Sequence, residues 1–251
     1  MERPDRAAVT FYTGETLSAG VSVTLGDDAA QHARVLRIGA GEVVELRDGE
    51  GGAARGTISR LAKRSLTIEV GESWTIPGFP AVHMLVPVAD RDRMLMLAEK
   101  CTELSATSWR PVMWRRSRSV GPAGDGPAFQ SRLKGRMAAA LTQSGGGWLP
   151  EIHPSAPVSR AIAAAPQGTR LLLDAAADAH LTSMPLGAPV SIAIGPEGGL
   201  DARERDDMVE GGFTPVSLVG STLRFETAGI AALAIARSML GPATEDNSSD
   251  E

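Results

Sequence analysis

Ser191-Ile-Ala-Ile-Gly-Pro-Glu-Gly-Gly-Leu200 and Val216-Ser-Leu-Val-Gly-Ser-Thr-Leu-Arg-Phe-Glu-Thr-Ala-Gly229 are the two stretches that decide the fold of this 251-residue chain. Each begins with a short apolar run that ends on glycine, the pattern of a buried strand followed by a loop. The first run, residues 190–194, is nearly continuous in apolar residues, as in a parallel strand covered on both faces. Open α/β sheets bind ligands beyond the carboxyl ends of their strands, so the two glycine-containing loops predict a ligand site.

A helix is expected after each loop. Asp201 followed by Glu204 has the spacing of a capping box, which predicts a helix with Asp201 as its N-cap that runs to about Glu210. Glu226 and Thr227 open the second helix. Neither loop carries the Gly-x-Gly-x-x-Gly of a dinucleotide site or the Gly-Lys-Ser/Thr of a P-loop. Taken alone, either turn would fit an ordinary strand-to-helix connection as well as a ligand-binding loop. The two turns together are more specific for a ligand site.

Two patterns divide the chain near residues 74–80. Residues 21–70 hold short alternating segments separated by glycine-containing turns, which predicts a small β-barrel. From residue 81 onward strands and helices alternate, which predicts an α/β domain with a mostly parallel sheet. The expected organisation is a barrel domain at 1–73, a linker at 74–80, an α/β domain at 81–241 and a disordered acidic tail at 242–251.

Composition narrows the class of protein. The single cysteine, Cys101, excludes an internal disulfide, and no Cys or His cluster has metal-ligand spacing, so no metal is expected. The polar start and the lack of a long apolar run predict a cytoplasmic protein without a membrane segment. The net charge is −5, yet residues 90–136 hold ten Lys or Arg against five Asp or Glu. That surplus could meet phosphates, or it could be a solvated face.

The two loops together resemble the knot region of the SPOUT superfamily of S-adenosylmethionine-dependent RNA methyltransferases. Within that superfamily, Ile194-Gly-Pro-Glu-Gly-Gly-Leu200 followed by Leu223-Arg-x-Glu-Thr-Ala228 is similar to the RsmE family, which methylates N3 of a uridine in 16S rRNA. His32-Ala-Arg-Val-Leu-Arg37, Lys100-Cys-Thr-Glu-Leu104 and Pro150-Glu-Ile152 extend the similarity over roughly residues 9 to 240.

The resemblance implies a PUA-like RNA-binding barrel followed by a SPOUT methyltransferase domain with a trefoil knot. It also implies S-adenosylmethionine as the cofactor, held by an apolar slot and by loop backbone. The residues expected there follow the three strands nearest the site: Leu173, Ile194, Gly195, Glu197, Gly198, Gly199, Leu218, Gly220 and Leu223. For any one of the four aliphatic residues in this set, plain core packing is the competing interpretation.

Methylation of uracil N3 requires loss of the N3 proton and in-line attack on the sulfonium methyl group. Negative charge spreads onto O2 and O4 of the ring, and a cation placed there would stabilise it. Arg224, at the mouth of the last loop, is the candidate for that role. Glu226 could take the proton or hold Arg224 in place, although an acid in the first turn of a helix is also what the helix dipole selects.

The expected substrate is 16S rRNA, in the small ribosomal subunit. Arg34 and Arg37 lie three residues apart, so on one helix they would share a face and could clamp a phosphate. Gln143 is the other substrate residue that the family pattern supplies. That pattern also expects charged residues where this chain has Thr142, Gly146 and Ser221, and Arg91 or Arg116 could substitute for them.

Two alternatives of different class therefore stay open, an rRNA methyltransferase and a catalytically impaired RNA-binding or ribosome-assembly protein. A homodimer is expected in either case, because SPOUT enzymes commonly dimerise through this domain. The Ala-rich last helix, with its small residues, would permit close approach of a second copy.

Overall fold

The computed structural model describes residues 9–117 and 126–242. Their contacts divide them into two compact units. The first comprises the chain up to Gly78 together with Ala138–Leu149, and the second comprises the remaining described residues. The predicted acidic tail lies, apart from residue 242, outside the described residues.

Up to Gly78, the described part of the first unit is a five-stranded sheet with one helix. Its elements are β1 (Thr10–Tyr12), β2 (Ser22–Leu25), α1 (Asp27–Val35), β3 (Val43–Arg47), β4 (Gly52–Leu61) and β5 (Leu66–Thr75). The strand order is β1-β3-β4-β5-β2, with β1 parallel to β3 and every other pair antiparallel. Alternate residues of β5, namely Leu66, Ile68 and Val70, point into the core, which is the period-2 burial that the sequence predicted.

Two features of this unit differ from the sequence prediction. The three-residue β1 was not predicted, because so short a segment cannot show alternation. Strand β5 continues to Thr75, and Trp74 pairs with Ala53, so sheet pairing extends into the first residues assigned to the linker.

The second unit is an α/β layer structure. Its elements are β6 (Val82–Pro87), α2 (Arg91–Glu103), β7 (Ser108–Met113), α3 (Pro127–Ser144, with its end in the first unit), β8 (Glu151–Ile152), β9 (Ala156–Pro157), α4 (Val158–Ala164), β10 (Thr169–Leu173), β11 (Val190–Ile194), α5 (Ala202–Glu210), β12 (Thr214–Val216) and α6 (Phe225–Leu240). The sheet order is β12-β10-β11-β6-β7-β8, with β9 also paired to β7.

All the strand pairs of this second sheet are parallel. Central strand β11 lies between β10 and β6, and all five of its residues are buried. The predicted mostly parallel α/β fold is confirmed, whereas the trefoil knot stays a prediction. The topology matters for function because the carboxyl ends of β10, β11 and β12 meet at one edge of the sheet.

Helix α6 carries the two candidate catalytic residues at its start, and it packs closely within its own unit. A Cβ added at Gly229 would lie 2.7 Å from Cδ1 of Ile194 and 3.0 Å from Cδ1 of Leu97. The missing side chain thus lets α6 approach β11 and α2. Small residues in α6 therefore have a role inside one chain, independent of any second copy.

The far end of α6 is fixed by Arg237. Its guanidinium donates hydrogen bonds to the carbonyl oxygens of Pro80, Leu104 (3.1 Å) and Ser105. Burial lowers the pKa of Arg237 to about 10, so the side chain is still charged at neutral pH. These bonds hold the helix against the segments that flank α2 and β6.

No helix in the described part of the chain is long and apolar enough to cross a membrane. Likewise, no three His, Cys, Asp or Glu side chains of residues 9–117 and 126–242 gather where they could hold a metal ion.

Candidate active site

A cavity of about 780 Å³ opens at the carboxyl ends of β10, β11 and β12. Most of the residues predicted for the site line it: Leu173, Ile194, Gly195, Glu197, Gly199, Leu218, Leu223 and Arg224. Gly198 and Gly220 belong to the same loops but do not line the cavity, and Glu226 is buried behind it. The fold therefore brings together loops that lie far apart along the chain.

The first loop is a tight turn. The Gly199 amide donates to the Pro196 carbonyl at 2.9 Å, and Gly199 has φ of +75°, a conformation that residues with a Cβ rarely adopt. The guanidinium of Arg116 donates to the carbonyls of Gly198 (3.4 Å) and Leu200 (3.3 Å). Arg116, predicted to contact RNA, thus braces the loop backbone.

The helix after this loop begins as predicted, with a different hydrogen-bond pattern. Oδ1 of Asp201 accepts from the Arg203 amide at 3.2 Å, as an N-cap should. The reciprocal bond of a capping box is replaced, because Oε1 of Glu204 accepts from the Arg115 amide at 2.7 Å. Glu204 thereby joins α5 to the chain that follows β7.

Arg93 is the central cation of the site, and the sequence analysis did not single it out. Its Nη1 forms an ion pair with Glu197, and its Nε lies 3.8 Å from Oε1 of Glu226. The Glu226 side chain is only 5% exposed, and its Oε2 has no hydrogen-bond partner among the described residues. Arg93 lies in the first turn of α2, just beyond the carboxyl end of β6. That position after a predicted strand is the feature of the sequence that could have identified Arg93 as a site residue.

Arg224 occupies the N-cap position of α6 with extended backbone. Its side chain is exposed and lines the cavity, and no carboxylate in the described part of the chain lies within ion-pair distance of it. In the described part of the chain Glu226 forms its ion pair with Arg93 and none with Arg224, so the interpretation that Glu226 holds Arg224 gains no support. Arg224 is therefore available to a ligand.

Asp174, which directly follows β10, is a second acid that lines the cavity. Its Oδ2 accepts from Nε of Arg205 at 2.8 Å, and its Oδ1 accepts from the Ala176 amide at 2.9 Å. Burial raises the pKa of Asp174, but the hydrogen bonds from Arg205 and Ala176 together lower it by a larger amount. The net pKa of Asp174 is therefore below its ordinary value. The ionised carboxylate can accept hydrogen bonds from hydroxyl groups.

The two arginines expected on α1 do not share a helical face. Helix α1 ends at Val35, and Arg37 has φ of +58°. The Arg37 amide donates to the Arg34 carbonyl and the Ile38 amide to the Ala33 carbonyl, a Schellman motif that turns the chain away. Arg34 itself donates through Nη1 to the carbonyls of Ala62 (3.0 Å) and Lys63 (2.8 Å).

Arg91, a further substrate candidate, belongs to the second unit but does not line the cavity. The guanidinium of Arg91 stacks over the Phe129 ring, 6.0 Å from its centroid. Gln143 is exposed near the end of α3, in the part that belongs to the first unit. Thr142 Oγ1 donates to the Ala139 carbonyl at 3.0 Å, whereas Ser221 lines the cavity. Ser221, one of the three departures from the family pattern, therefore lies at the site.

Two models of RNA methyltransferase domains match this chain. Residues 77–237 match the model of an RNA methyltransferase domain, and residues 25–71 match that of an RNA methyltransferase PUA domain. The first match alone spans more than half of the chain. The chain belongs to this family of RNA methyltransferases.

Individual relatives agree with the family assignment. Ribosomal RNA small subunit methyltransferase E of Synechocystis is 29% identical over 216 residues, which is 82% of this chain and 69% of that protein. The enzyme of the same name from Neisseria gonorrhoeae, solved with S-adenosyl methionine, is 29% identical with a TM-score of 0.82 and covers 90% of this chain and 95% of its own. A Legionella pneumophila methyltransferase, solved with bound SAM, is 25% identical with a TM-score of 0.86 over 92% and 97%. The resemblance to the RsmE family and the PUA-like first domain are confirmed.

Proposed function

We propose that this protein transfers a methyl group from S-adenosylmethionine to N3 of a uridine near the 3′ end of 16S rRNA. The observation that carries the proposal is the cavity at the edge of the parallel sheet. Arg224, which has no carboxylate partner in the described part of the chain, lines it together with the glycine loop whose Glu197 pairs with Arg93. Relatives that bind S-adenosyl methionine and are named for the small-subunit rRNA support it.

The residues of the cavity suit the cofactor. Leu173, Ile194, Leu218 and Leu223 supply an apolar wall for a purine ring, and the loops offer backbone groups for its polar edge. Asp174 supplies an ionised acceptor for ribose hydroxyls. When bound, S-adenosylmethionine supplies an electrophilic methyl group on a positively charged sulfur.

The side chains of this chain would serve the uracil ring. Arg224 can place its guanidinium where negative charge develops on O2 or O4. Glu197 and Asp174 both line the cavity. Because Asp174 is assigned to the ribose hydroxyls, we assign Glu197 as acceptor of the N3 proton. Glu226, covered by its surroundings, would hold Arg93 in place. The predicted catalytic role of Glu226 is thereby recast as positioning.

The deciding experiment is mass spectrometry of 16S rRNA from cells with and without the gene. N3-methyluridine near the 3′ end should disappear on deletion and return with the wild-type gene. Identical modification in both strains would overturn the proposal.

The second candidate, an RNA-binding or assembly protein without catalysis, is favoured by one observation. Ser221 lines the cavity where the family pattern expects a cation. Under this alternative the deletion strain would show a defect in subunit assembly that Arg224→Ala protein repairs in full, with no change in rRNA methylation.

Replacement of Gly199 by valine should weaken cofactor binding roughly five- to thirtyfold, because a β-branched residue is strained at positive φ by about 1–2 kcal/mol. The structure revises the reason expected from sequence, since a Cβ there would meet only Nη1 of Arg116, at 3.9 Å. Calorimetry with S-adenosylmethionine measures the effect. Gly212→Val is the matched control, because Gly212 also has positive φ (82°) but lies outside the cavity lining. Equal losses in both variants would contradict the assignment.

Homodimerisation remains part of the proposal, with α6 and its surroundings as the expected interface. Met239, 40% exposed near the end of α6, is a large apolar side chain that a second copy could cover. Light scattering at micromolar concentration should give twice the mass of the chain. A monomeric mass at that concentration would count against the dimer.

A further inference from the structure

Five basic side chains gather at one end of the first unit, and we call them the basic tip: Arg34, Arg37, Arg60, Lys63 and Arg64. All five are exposed. Only Arg34 and Arg37 were expected to contact RNA, and both for a shared helical face that does not form.

The hairpin between β4 and β5 places three of these residues. The Ala62 amide donates to the Ser65 carbonyl at 2.9 Å, so Lys63 and Arg64 occupy the two central positions of a tight turn. Arg60 precedes the turn on β4. Lys63 and Arg64 are therefore presented to solvent on a short, hydrogen-bonded turn, and Arg60 is exposed on the strand beside it.

Helix α1 is tied to the same hairpin. The bonds from Arg34 Nη1 to the Ala62 and Lys63 carbonyls fix the end of the helix against the turn. Beyond the helix, the Gly41 amide donates to the Ile58 carbonyl at 2.8 Å, which lays the chain after Arg37 along β4. The basic tip is thus one connected surface made of two chain segments.

The charge of the basic tip is not neutralised within the described part of the chain. None of its five residues has a carboxylate within ion-pair distance there, and two acids of the flanking segments are engaged by other donors. Oε2 of Glu42 accepts from the Gly39 amide at 2.5 Å, and Oε1 of Glu69 accepts from Ser59 Oγ at 3.2 Å.

The basic segment 90–136, which looked richer in the sequence, is different. Five of its basic residues have carboxylate partners within 4.0 Å: Arg93, Lys100, Arg115, Arg132 and Arg136. Half of its ten basic residues are therefore paired with carboxylates inside the second unit. The basic tip differs, because none of its five exposed cations has a carboxylate partner in the described part of the chain, so all five are available to an external polyanion.

We infer that the basic tip binds the sugar-phosphate backbone of the RNA substrate. Separate cations spaced over a hairpin and a helix end match a chain of repeated phosphates. Val35 (72% exposed) and Leu36 (44% exposed) adjoin Arg34 and Arg37, and they offer apolar contact to riboses or bases. The inference rests on the proposed function for the identity of the RNA, and it assigns the basic tip to substrate affinity and not to chemistry.

Lys63→Ala/Arg64→Ala protein tests the inference without touching the Arg34 anchor. Binding of a 16S rRNA transcript is measured by filter retention between 50 and 200 mM salt, with no cofactor present. Loss of two phosphate contacts should lower affinity about tenfold and reduce the slope of log affinity against log salt by roughly 1.4. In methylation assays the KM for RNA should rise while kcat is unchanged.

Arg160→Ala/Arg203→Ala is the matched control, because both arginines are exposed on the second unit outside the cavity lining. Its affinity should stay within about twofold of wild type. An unchanged salt slope in the Lys63/Arg64 variant, or an equal loss in the control, would overturn the inference. Because binding is read without methyl transfer, failure of the proposed reaction would leave this result intact and is detected separately by the rRNA mass spectrometry.

Discussion

Arg224→Ala protein is expected to transfer methyl groups roughly 10² to 10³ times more slowly than wild type, by analogy with removal of one oxyanion donor. The side chain is exposed, lines the cavity and has no carboxylate partner in the described part of the chain. Truncation therefore leaves no buried charge uncompensated. Cofactor affinity and melting temperature should accordingly change little.

Single-turnover methylation of 16S rRNA, calorimetry with S-adenosylmethionine and thermal melting separate these effects. Arg224→Lys should recover part of the rate, because the point charge survives although the planar bidentate geometry does not. Arg203→Ala, an exposed arginine outside the cavity lining, should behave as wild type. Unfolding or full methylation in Arg224→Ala would assign this arginine to the fold and return the catalytic role to other cations.

The local parts of the fold were predictable because short-range chemistry decides them. Strand β11 was predicted at its observed bounds, since a continuous apolar run between Pro189 and Gly195 has few other solutions. The N-cap role of Asp201 was likewise predictable, because it depends only on the residues next to it in the sequence.

The second signature shows where local patterns mislead. The apolar run from Val216 predicted a strand there, but β12 ends at Val216 and contains Pro215. Proline is acceptable because β12 is the edge strand, where an absent amide can face away from the ladder. Leu218 and Val219 are apolar because they line the cavity. Their hydrophobicity belongs to the ligand site and not to the sheet.

The ion pairs of the site were beyond sequence reasoning because they depend on which strands are neighbours. Arg93 and Glu197 are 104 residues apart, and they meet because β6 and β11 are adjacent. Asp174 and Arg205 meet likewise across 31 residues. The prediction that Arg34 and Arg37 share a helical face was wrong for a different reason. The helix ends before Arg37, whose backbone is left-handed, and no glycine in the sequence indicates that end.

Arg93→Met should reduce both stability and methyl transfer, because it removes the only cation found within 4.0 Å of Glu226 in the described part of the chain. The Glu226 side chain is 5% exposed, and its Oε2 already lacks a partner there. Leaving that charge unpaired should lower the free energy of unfolding by roughly 1–3 kcal/mol. Glu197 would also lose its ion pair, so a fall in rate of about tenfold or more is expected from a displaced loop.

A double-mutant cycle decides whether Arg93 acts through Glu226. Glu226→Gln keeps the shape of the side chain and removes its charge, so the Arg93→Met/Glu226→Gln protein should be more stable than the two single losses predict, by roughly 1 kcal/mol or more. Urea unfolding measures that coupling. Methylation should stay impaired in the double variant because Glu197 still lacks its ion pair with Arg93, and Arg93→Lys should restore part of kcat. Additive stabilities would show that Arg93 and Glu226 are not coupled, and full activity in the double variant would remove Arg93 from the positioning of Glu197.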